Sequence, residues 1–336
     1  MSLITTDIAI IGAGTSGCCI AGELRDTGFD CVLIEKSRGL GGRCSRRYID
    51  ANSVDLGAPE FLFNSVENTR LKSLIKSWIH MGYLDPWVYQ KSSFNEIGQQ
   101  ETIESLSAVP SMNAWHKKIA GDINTYKNIE INSLVKSDDF WHLMDYSGKQ
   151  VISAKYLIIT CPAEQSLALL RQHNIFSDNR LTDHKSLPQF VCAIGFTQAL
   201  NIKSDVYRGG HSFLSTAIRE HSKPKRVLPS PLQEVWMLHS THDWAEKNVS
   251  ENHQQAAQVL TSQFIEHFDI QSEPQILSSH YWRLSRHQIN EPVQTPFIWN
   301  KEMRIGCCGD WLSSGDITGA LTSAVSLYEE ITSDYK

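Results

Sequence analysis

Three glycine-bearing runs hold most of the residues whose types and spacing suit chemistry. The first is Gly12-Ala13-Gly14-Thr15-Ser16-Gly17. Gly12 permits a tight turn, Gly14 lets backbone come close to a pyrophosphate, and Gly17 lets a helix lie against a strand. A helix opening through Ala13, Thr15 and Ser16 aims free N–H groups and partial positive charge at phosphate. Glu35 stands eighteen residues beyond Gly17. An acidic side chain there accepts from ribose hydroxyls and repels a 2′-phosphate, so the expected ligand is FAD or NAD rather than NADP.

The second run is Lys36-Ser37-Arg38-Gly39-Leu40-Gly41-Gly42-Arg43. Gly41 and Gly42 let the chain pass close to a cofactor, and Arg43 is suited to neutralising its phosphates. Arg46 and Arg47 read equally as solvated surface. The third run is Gly309-Asp310-Trp311 followed by Gly315-Asp316-Ile317-Thr318-Gly319-Ala320. Asp310 is expected to accept from a ribitol hydroxyl. The helix start at Thr318 and Gly319 is expected to face flavin N1 and O2, where its dipole would stabilise negative charge. A plain NAD dehydrogenase has no task for the second and third runs, so the three together point to non-covalent FAD. No metal-ligand spacing and no Ser/His/Asp arrangement is evident.

These side chains need elements to hold them. Asp7 to Ile11 reads as a short apolar strand, Thr15 to Thr27 as a helix ended by Gly28, and Cys31 to Glu35 as the next strand. That is a βαβ start and implies a parallel sheet buried on both faces. Residues near Val66 to His80, Ser111 to Ala120 and Ala163 to His173 read as helices. Ile129 to Val135, Phe140 to Asp145 and Val151 to Thr160 read as an antiparallel meander, with Val135 a candidate cofactor contact. Phe190 to Thr197, Glu234 to Ser240 and Gln275 to Trp282 read as strands, and Glu251 to Phe268 as a long helix. Met303 to Cys308 is the last strand and Asp316 to Ile331 the closing helix. The expected fold class is α/β plus α+β. A Rossmann-type cofactor domain takes residues 1–65, 106–175 and 286–336, and an inserted mixed-sheet substrate domain takes 66–105 and 176–285.

Composition bounds the alternatives. The chain has 336 residues, 41% apolar and 20% charged, with a net charge of -6. An acidic surface disfavours nucleic acid and anionic membrane as main partners. No run of about 18 apolar residues occurs, so no spanning helix is expected. The eight cysteines (Cys18, Cys19, Cys31, Cys44, Cys161, Cys192, Cys307 and Cys308) form no C-x-x-C pair. They read as buried reduced thiols of a cytoplasmic protein.

The motifs carry a resemblance. Ile10 to Gly14, Glu35 to Gly39, Gly41 to Arg43, Arg46-Arg47 and Asp55-Leu56-Gly57-Ala58 look like bacterial renalase, within the wider flavin amine oxidase superfamily. So do Val109-Pro110-Ser111-Met112, Ser222-Lys223-Pro224, Trp236 to His239, Trp282-Arg283 and Gly309-Asp310-Trp311. The matches run almost end to end, with gaps between them. One departure is Pro59-Glu60-Phe61, where relatives usually carry Gln-Tyr-Phe near the flavin. The resemblance implies oxidation of dihydronicotinamide isomers, with hydride passing to FAD and dioxygen giving hydrogen peroxide. The alternatives are a flavin amine oxidase or desaturase acting on another small molecule, and a non-catalytic flavoprotein. Candidate pocket residues are Phe61, Trp87, Trp236, His239, His280, Trp282 and Arg283. The aromatics are suited to stacking on a planar nicotinamide and Arg283 to meeting an anionic group, although each aromatic also suits a core.

Overall fold

In the computed structural model, which describes residues 3–50, 52–63, 66–96, 98–171, 185–250, 252–289 and 294–334, the chain opens on the expected strand–helix–strand unit. β1 (Ile4–Ile11), α1 (Thr15–Asp26) and β2 (Cys31–Glu35) follow one another, and the two strands pair in parallel. All five residues of β2 are buried, as a parallel strand covered on both faces requires. A hairpin of β3 (Arg46–Ile49) and β4 (Asn52–Asp55) comes next. Then come α2 (Thr69–His80) and a longer hairpin of β5 (Leu84–Ser92) and β6 (Glu101–Ala108). After α3 (Ala114–Ala120) the chain forms β7 (Asn124–Lys127), β8 (Ile131–Ser137), β9 (Phe140–Asp145), β10 (Gln150–Ile159) and α4 (Ala163–Leu170). The second half runs β11 (Ser186–Phe196), β12 (Val206–Arg208), β13 (Leu214–Arg219), β14 (Glu234–Ser240), α5 (His242–Lys247) and α6 (His253–His267). It closes with β15 (Gln275–His287), β16 (Phe297–Asn300), β17 (Ile305–Cys308) and α7 (Ile317–Asp334).

Two sheets organise these elements. The first has the order β16-β17-β10-β1-β2-β7, with β9 and β8 branching from β10. β10 runs parallel to β1 and β17 while its first half also pairs antiparallel with β9. The second sheet has the order β15-β11-β14-β13-β12-β5-β6, antiparallel except between β12 and β5. Helices α1, α3 and α7 cover one face of the first sheet with Cys19, Leu24, Trp115, Leu321 and Val325. Helix α6 covers one face of the second through Ala257, Leu260 and Phe264 against Phe190, Cys192 and Trp236. The expected architecture, a Rossmann-type domain beside a mixed-sheet domain, is the one observed.

The fold differs from the expected domain boundaries at one helix and two strands. Asn68 caps α2 by accepting from the Leu71 N–H, and Leu71, Ile75 and Trp78 recur at helical spacing on its buried face. That face joins Ile8, Ile10, Leu24 and Trp115 in the core of the first domain. The segment 66–105 therefore divides, its helix packing with the cofactor domain and β5 entering the second sheet. β6 and β15 also run on to Ala108 and His287, because strand pairing continues past residues 105 and 285. Residues 176–184 of the expected insert lie outside the described residues.

Candidate functional site

The three glycine runs meet in one cleft of about 1540 Å³. At its floor the first turn is sterically defined. A Cβ on Gly17 would lie 1.9 Å from the Gly12 carbonyl oxygen, so only glycine lets α1 start this close to β1. Gly12 itself has φ +105° and donates to the Ile34 carbonyl at 2.8 Å. A Cβ on Gly14, by contrast, would meet nothing within 4 Å. That face of the turn opens on the cleft and lies at the N-terminus of α1, where backbone N–H groups and the helix dipole favour phosphate.

The second run folds over the first. The Gly41 N–H donates to the Ala13 carbonyl at 2.8 Å, and a Cβ on Gly42 would sit 3.4 Å from the Gly14 Cα. Glu35 is buried at the end of β2, where its two oxygens accept from the N–H groups of Ala13, at 2.8 Å, and Ser37, at 2.7 Å. Each oxygen keeps a further lone pair for a ribose hydroxyl. Lys36 pairs with Glu130 at 3.6 Å.

Arg43 and Asp310 belong to different runs of the sequence, and the structure joins them. Arg43 Nη1 donates to Asp310 Oδ2 at 2.9 Å, Nη2 donates to Oδ1, and Nη1 also reaches the Ser285 carbonyl at 3.4 Å. Arg43 is thus not a free cation for phosphate. The planar guanidinium matches a carboxylate, and the pair pins the second run to the third. Gly309 donates to Ser323 Oγ at 2.9 Å, Gly319 donates to Asp316 Oδ1 at 2.8 Å, and the Thr318 hydroxyl donates to the Leu62 carbonyl at 3.2 Å. The cleft is lined here by Asp310, Gly315, Asp316, Ile317 and Ala320 rather than by Thr318 and Gly319. Asp316 caps the helix and takes the Gly319 donor that the sequence reading offered to flavin O2. Ser16 Oγ donates to the Ala320 carbonyl at 2.9 Å, tying α1 to α7.

Val135 is not brought to the cleft. It is exposed on β8 beside buried Leu134, and the lining residues of that stretch are Ile129, Glu130, Ile131 and Asn132. The pocket candidates divide. His280, Trp282 and Arg283 line the cleft. The Trp282 indole N–H donates to the Leu56 carbonyl at 2.8 Å, and His280 meets Trp282 edge to face at 4.4 Å. Phe61 is core, stacked on Trp115 at 5.7 Å. Trp236 is core on the α6 side, its indole N–H bonded to Glu234 at 2.7 Å. Trp87 and His239 are buried on the opposite face of the second sheet, outside the cleft lining. Burial drives the His239 imidazole down to about 3, helped by Lys223 and Arg208, so it is neutral at ordinary pH.

All eight cysteines are free thiols. Cys44 and Cys161 line the cleft, where burial pushes both thiols up to about 12, so neither is a ready nucleophile. Cys307 and Cys308 lie in the core on β17. Among the described residues no group of His, Cys, Asp and Glu is placed to hold a metal ion, and no helix is long and apolar enough to cross a membrane.

Sequence reasoning missed two features. One is a buried charge cluster beneath the hairpin β3–β4. Asp55 takes Arg226 at 2.6 Å and Lys223 at 3.2 Å, and Glu220 takes Lys223 at 2.7 Å and Arg226 at 3.3 Å. Glu220, Lys223 and Arg226 lie in the polar stretch Arg219 to Arg226, which reads as solvated surface, so their burial leaves no signal in the sequence. The other is Glu60, whose carboxylate is held by Tyr89 at 2.8 Å and Arg208 at 3.2 Å.

Comparison with known proteins places this geometry. Residues 10–78 match the NAD(P)-binding Rossmann-like domain family. A zeta-carotene-forming phytoene desaturase of Myxococcus xanthus is 44% identical over 50 residues, 15% of this chain and 10% of that protein. The chain thus spans only a small part of this curated relative. A putative protoporphyrinogen oxidase of Exiguobacterium sp. 255-15 superposes with a TM-score of 0.73 at 11% identity, over 97% of this chain and 98% of the other. A putrescine oxidase with putrescine bound superposes with a TM-score of 0.68 at 10% identity, over 98% of this chain and all of the other. At these identities the superpositions carry the fold.

Proposed function

We propose, from the premise that the chain belongs to the superfamily of FAD-dependent oxidoreductases that includes amine oxidases and desaturases, that it oxidises a dihydronicotinamide dinucleotide and passes the electrons to dioxygen. The cradle suits FAD on three grounds. Gly14 opens at the start of α1, Glu35 has acceptor capacity left for ribose, and Gly41 and Gly42 line the cleft with no side chain between their backbone and a ligand. Bound FAD would supply the hydride acceptor and the route to dioxygen and hydrogen peroxide. The chain would supply placement and charge. The N–H groups at the head of α1 would hold the pyrophosphate, and Trp282 would present its face near the reacting ring.

The observation that carries the choice of substrate is the charge of the cleft. Eight cations line it: Lys36, Arg38, Arg43, Arg46, Arg47, Lys117, Lys127 and Arg283. Lys36 and Arg43 are paired with Glu130 and Asp310. Arg46 bonds the neutral hydroxyls of Ser111, at 2.8 Å, and Tyr48, and Arg47 bonds only neutral Ser278, at 3.4 Å. Among the described residues the remaining six cations form no ion pair. Four acids also line the cleft, Glu35, Glu130, Asp310 and Asp316, and the surplus of four cations over acids, on a chain of net charge -6, still exceeds the two charges of one pyrophosphate. It suits a second phosphate-bearing ligand and opposes a cationic amine. Loss of hydride from a dihydronicotinamide is driven by aromatisation and asks for no catalytic base, in keeping with cleft thiols held protonated by burial.

The test is anaerobic mixing of the yellow, flavin-loaded protein with dihydronicotinamide isomers and, separately, with primary amines. The isomers are expected to bleach the flavin band near 450 nm within seconds, and amines to leave it unchanged. Bleaching by amines alone gives the site to an amine oxidase, and turnover with neither gives it to a non-catalytic flavin-binding protein.

A further inference from the structure

Tyr146 opens the turn between β9 and β10, is 69% exposed, and lines the same cleft as the three glycine runs. A single aromatic on a surface needs no explanation, but the setting of this one is built. Asp145 Oδ1 accepts from the Ser147 N–H at 2.9 Å, the Ser147 hydroxyl at 2.6 Å and the Lys149 N–H at 3.1 Å. The Asp145 N–H donates to the Lys149 carbonyl at 3.0 Å, and the Gly148 N–H to the Asp145 carbonyl at 3.0 Å. An Asp-centred turn of this kind fixes the backbone that carries the ring. Strand register then says what lies beside it. Asp145 pairs with Ile131, so Tyr146 stands one residue past that pair, next to the run Ile129-Glu130 that leads into β8. The Ile129 N–H donates to the carbonyl of Glu35 at 3.1 Å. Tyr146, Ile131, Ile129 and Glu35 all line the cleft, as does Leu169 of α4. Ile131 and Leu169 belong to one apolar core cluster, with Ile129 packed against it. Beyond the ribose acceptor Glu35, therefore, the cleft ends in apolar side chains with an aromatic ring at its rim.

We propose that Tyr146 closes the adenine end of the FAD site, stacking its ring on the purine and so selecting the dinucleotide flavin over FMN. The chemistry of this end of the cleft selects a purine. It is planar and uncharged, so one face suits Ile129, Ile131 and Leu169 and the other suits an aromatic ring. A phosphate or a polyol chain has no use for either. Glu35 sets the order along the ligand, since the base bound to the ribose it accepts from must lie beside that ribose. Val135, the contact expected on this strand from the sequence, is exposed outside the cleft lining, so the turn supplies what the strand does not. The inference concerns the cofactor and stands whichever substrate the flavin oxidises.

The experiment titrates flavin-free protein with FAD and FMN, read by flavin fluorescence, and with ADP, read by competition against FAD. Flavin-loaded protein is titrated with NAD+. The unchanged chain, Tyr146→Ala and Tyr146→Phe are compared. Tyr146→Ala is expected to weaken FAD and ADP about tenfold each, the scale of one base on one aromatic ring, and to leave FMN and NAD+ unchanged. Tyr146→Phe keeps the ring and should match the unchanged chain for all four ligands. The side chain is exposed, so the thermal midpoint of flavin-free Tyr146→Ala should not move, which separates lost stacking from lost fold. An unchanged FAD affinity in Tyr146→Ala overturns the proposal. So does an equal loss for FAD and FMN, which would place the effect on the flavin half of the ligand. Weaker NAD+ binding with FAD unaffected also overturns it, giving the ring to the adenine of a second dinucleotide. If the unchanged chain takes up no FAD, the cofactor reading and this inference fall together.

Discussion

Gly14 and Gly17 stand one helical turn apart, yet a methyl group on each would have different effects. On Gly17 it would strike the Gly12 carbonyl at 1.9 Å, and on Gly14 it would enter open space. Gly17→Ala is therefore expected to destabilise the fold by more than about 3 kcal/mol, because backbone rather than a flexible side chain must move. Gly14→Ala should leave the thermal midpoint of the flavin-free protein within about 2 °C while weakening flavin binding at least tenfold. Thermal melts and flavin release by gel filtration separate the two. Equal destabilisation by both would remove Gly14 from the phosphate site. The glycine turn was readable in the sequence because positive φ and close approach admit few residue types. The pairing of Arg43 with Asp310 was not, since a long-range ion pair leaves no spacing signal.

At the scale of elements, strand faces decided what the sequence hid. Every residue of β14 is buried, so alternation, the usual sign of which side chain faces which layer, is absent. Trp236 faces α6 and His239 faces the other way, a difference that needs the register with β11 and β13. On β5 burial does alternate, Trp87 and Tyr89 buried between exposed Pro86 and Val88, but the apolar run Trp87-Val88-Tyr89 hides that alternation in the sequence. The helix α2 was visible as a helix, but its apolar stripe does not say which domain it covers. His116 on α3 and His239 on β14 are both buried and neutral, pushed down by burial to about 4 and about 3 from 6.5. The unfolded chain binds protons at these groups below about pH 6.5, and the folded chain does not. Stability should therefore be fully present above that pH and fall as pH drops from about 6.5 toward 4, by about 1.4 kcal/mol per unit for each histidine. Denaturant titrations across that range should show a shallower slope in His239→Gln. An unchanged slope would mean that the imidazole gains its proton in the fold.

At the scale of the whole molecule, the charge asymmetry matters more than the net charge. An acidic chain with a cationic cleft should draw phosphate-bearing ligands in and hold them less well as salt rises. Arg38→Gln combined with Lys127→Gln is expected to raise the dissociation constant for NAD+ several-fold at 20 mM salt and to flatten its salt dependence, with flavin retained. A dissociation constant insensitive to both salt and these substitutions would argue against the dinucleotide reading. The two-domain plan was legible because apolar strands recur at both ends of the chain. The second sheet's topology was less so, since β5, β6, β12 and β13 are short or lie between weak turn signals.

Strand β10, placed between β1, β9 and β17, sets a schedule for the growing chain. While the protein emerges from the ribosome, β1 can pair early with β2 and β10, and β9 covers Gln150 to Ala154 on the far edge of β10, but Leu157 to Ile159 on that edge are sealed only by β17. Arg43 meanwhile waits 267 residues for Asp310. A nascent chain released or stalled before the last strand would expose an unpaired, apolar strand edge and half a cofactor cradle, the kind of intermediate that chaperones hold. Flavin capture should thus be among the final events of synthesis, and a pulse-labelled chain halted near residue 300 should be colourless and aggregation-prone even though every residue of the first glycine turn is already made.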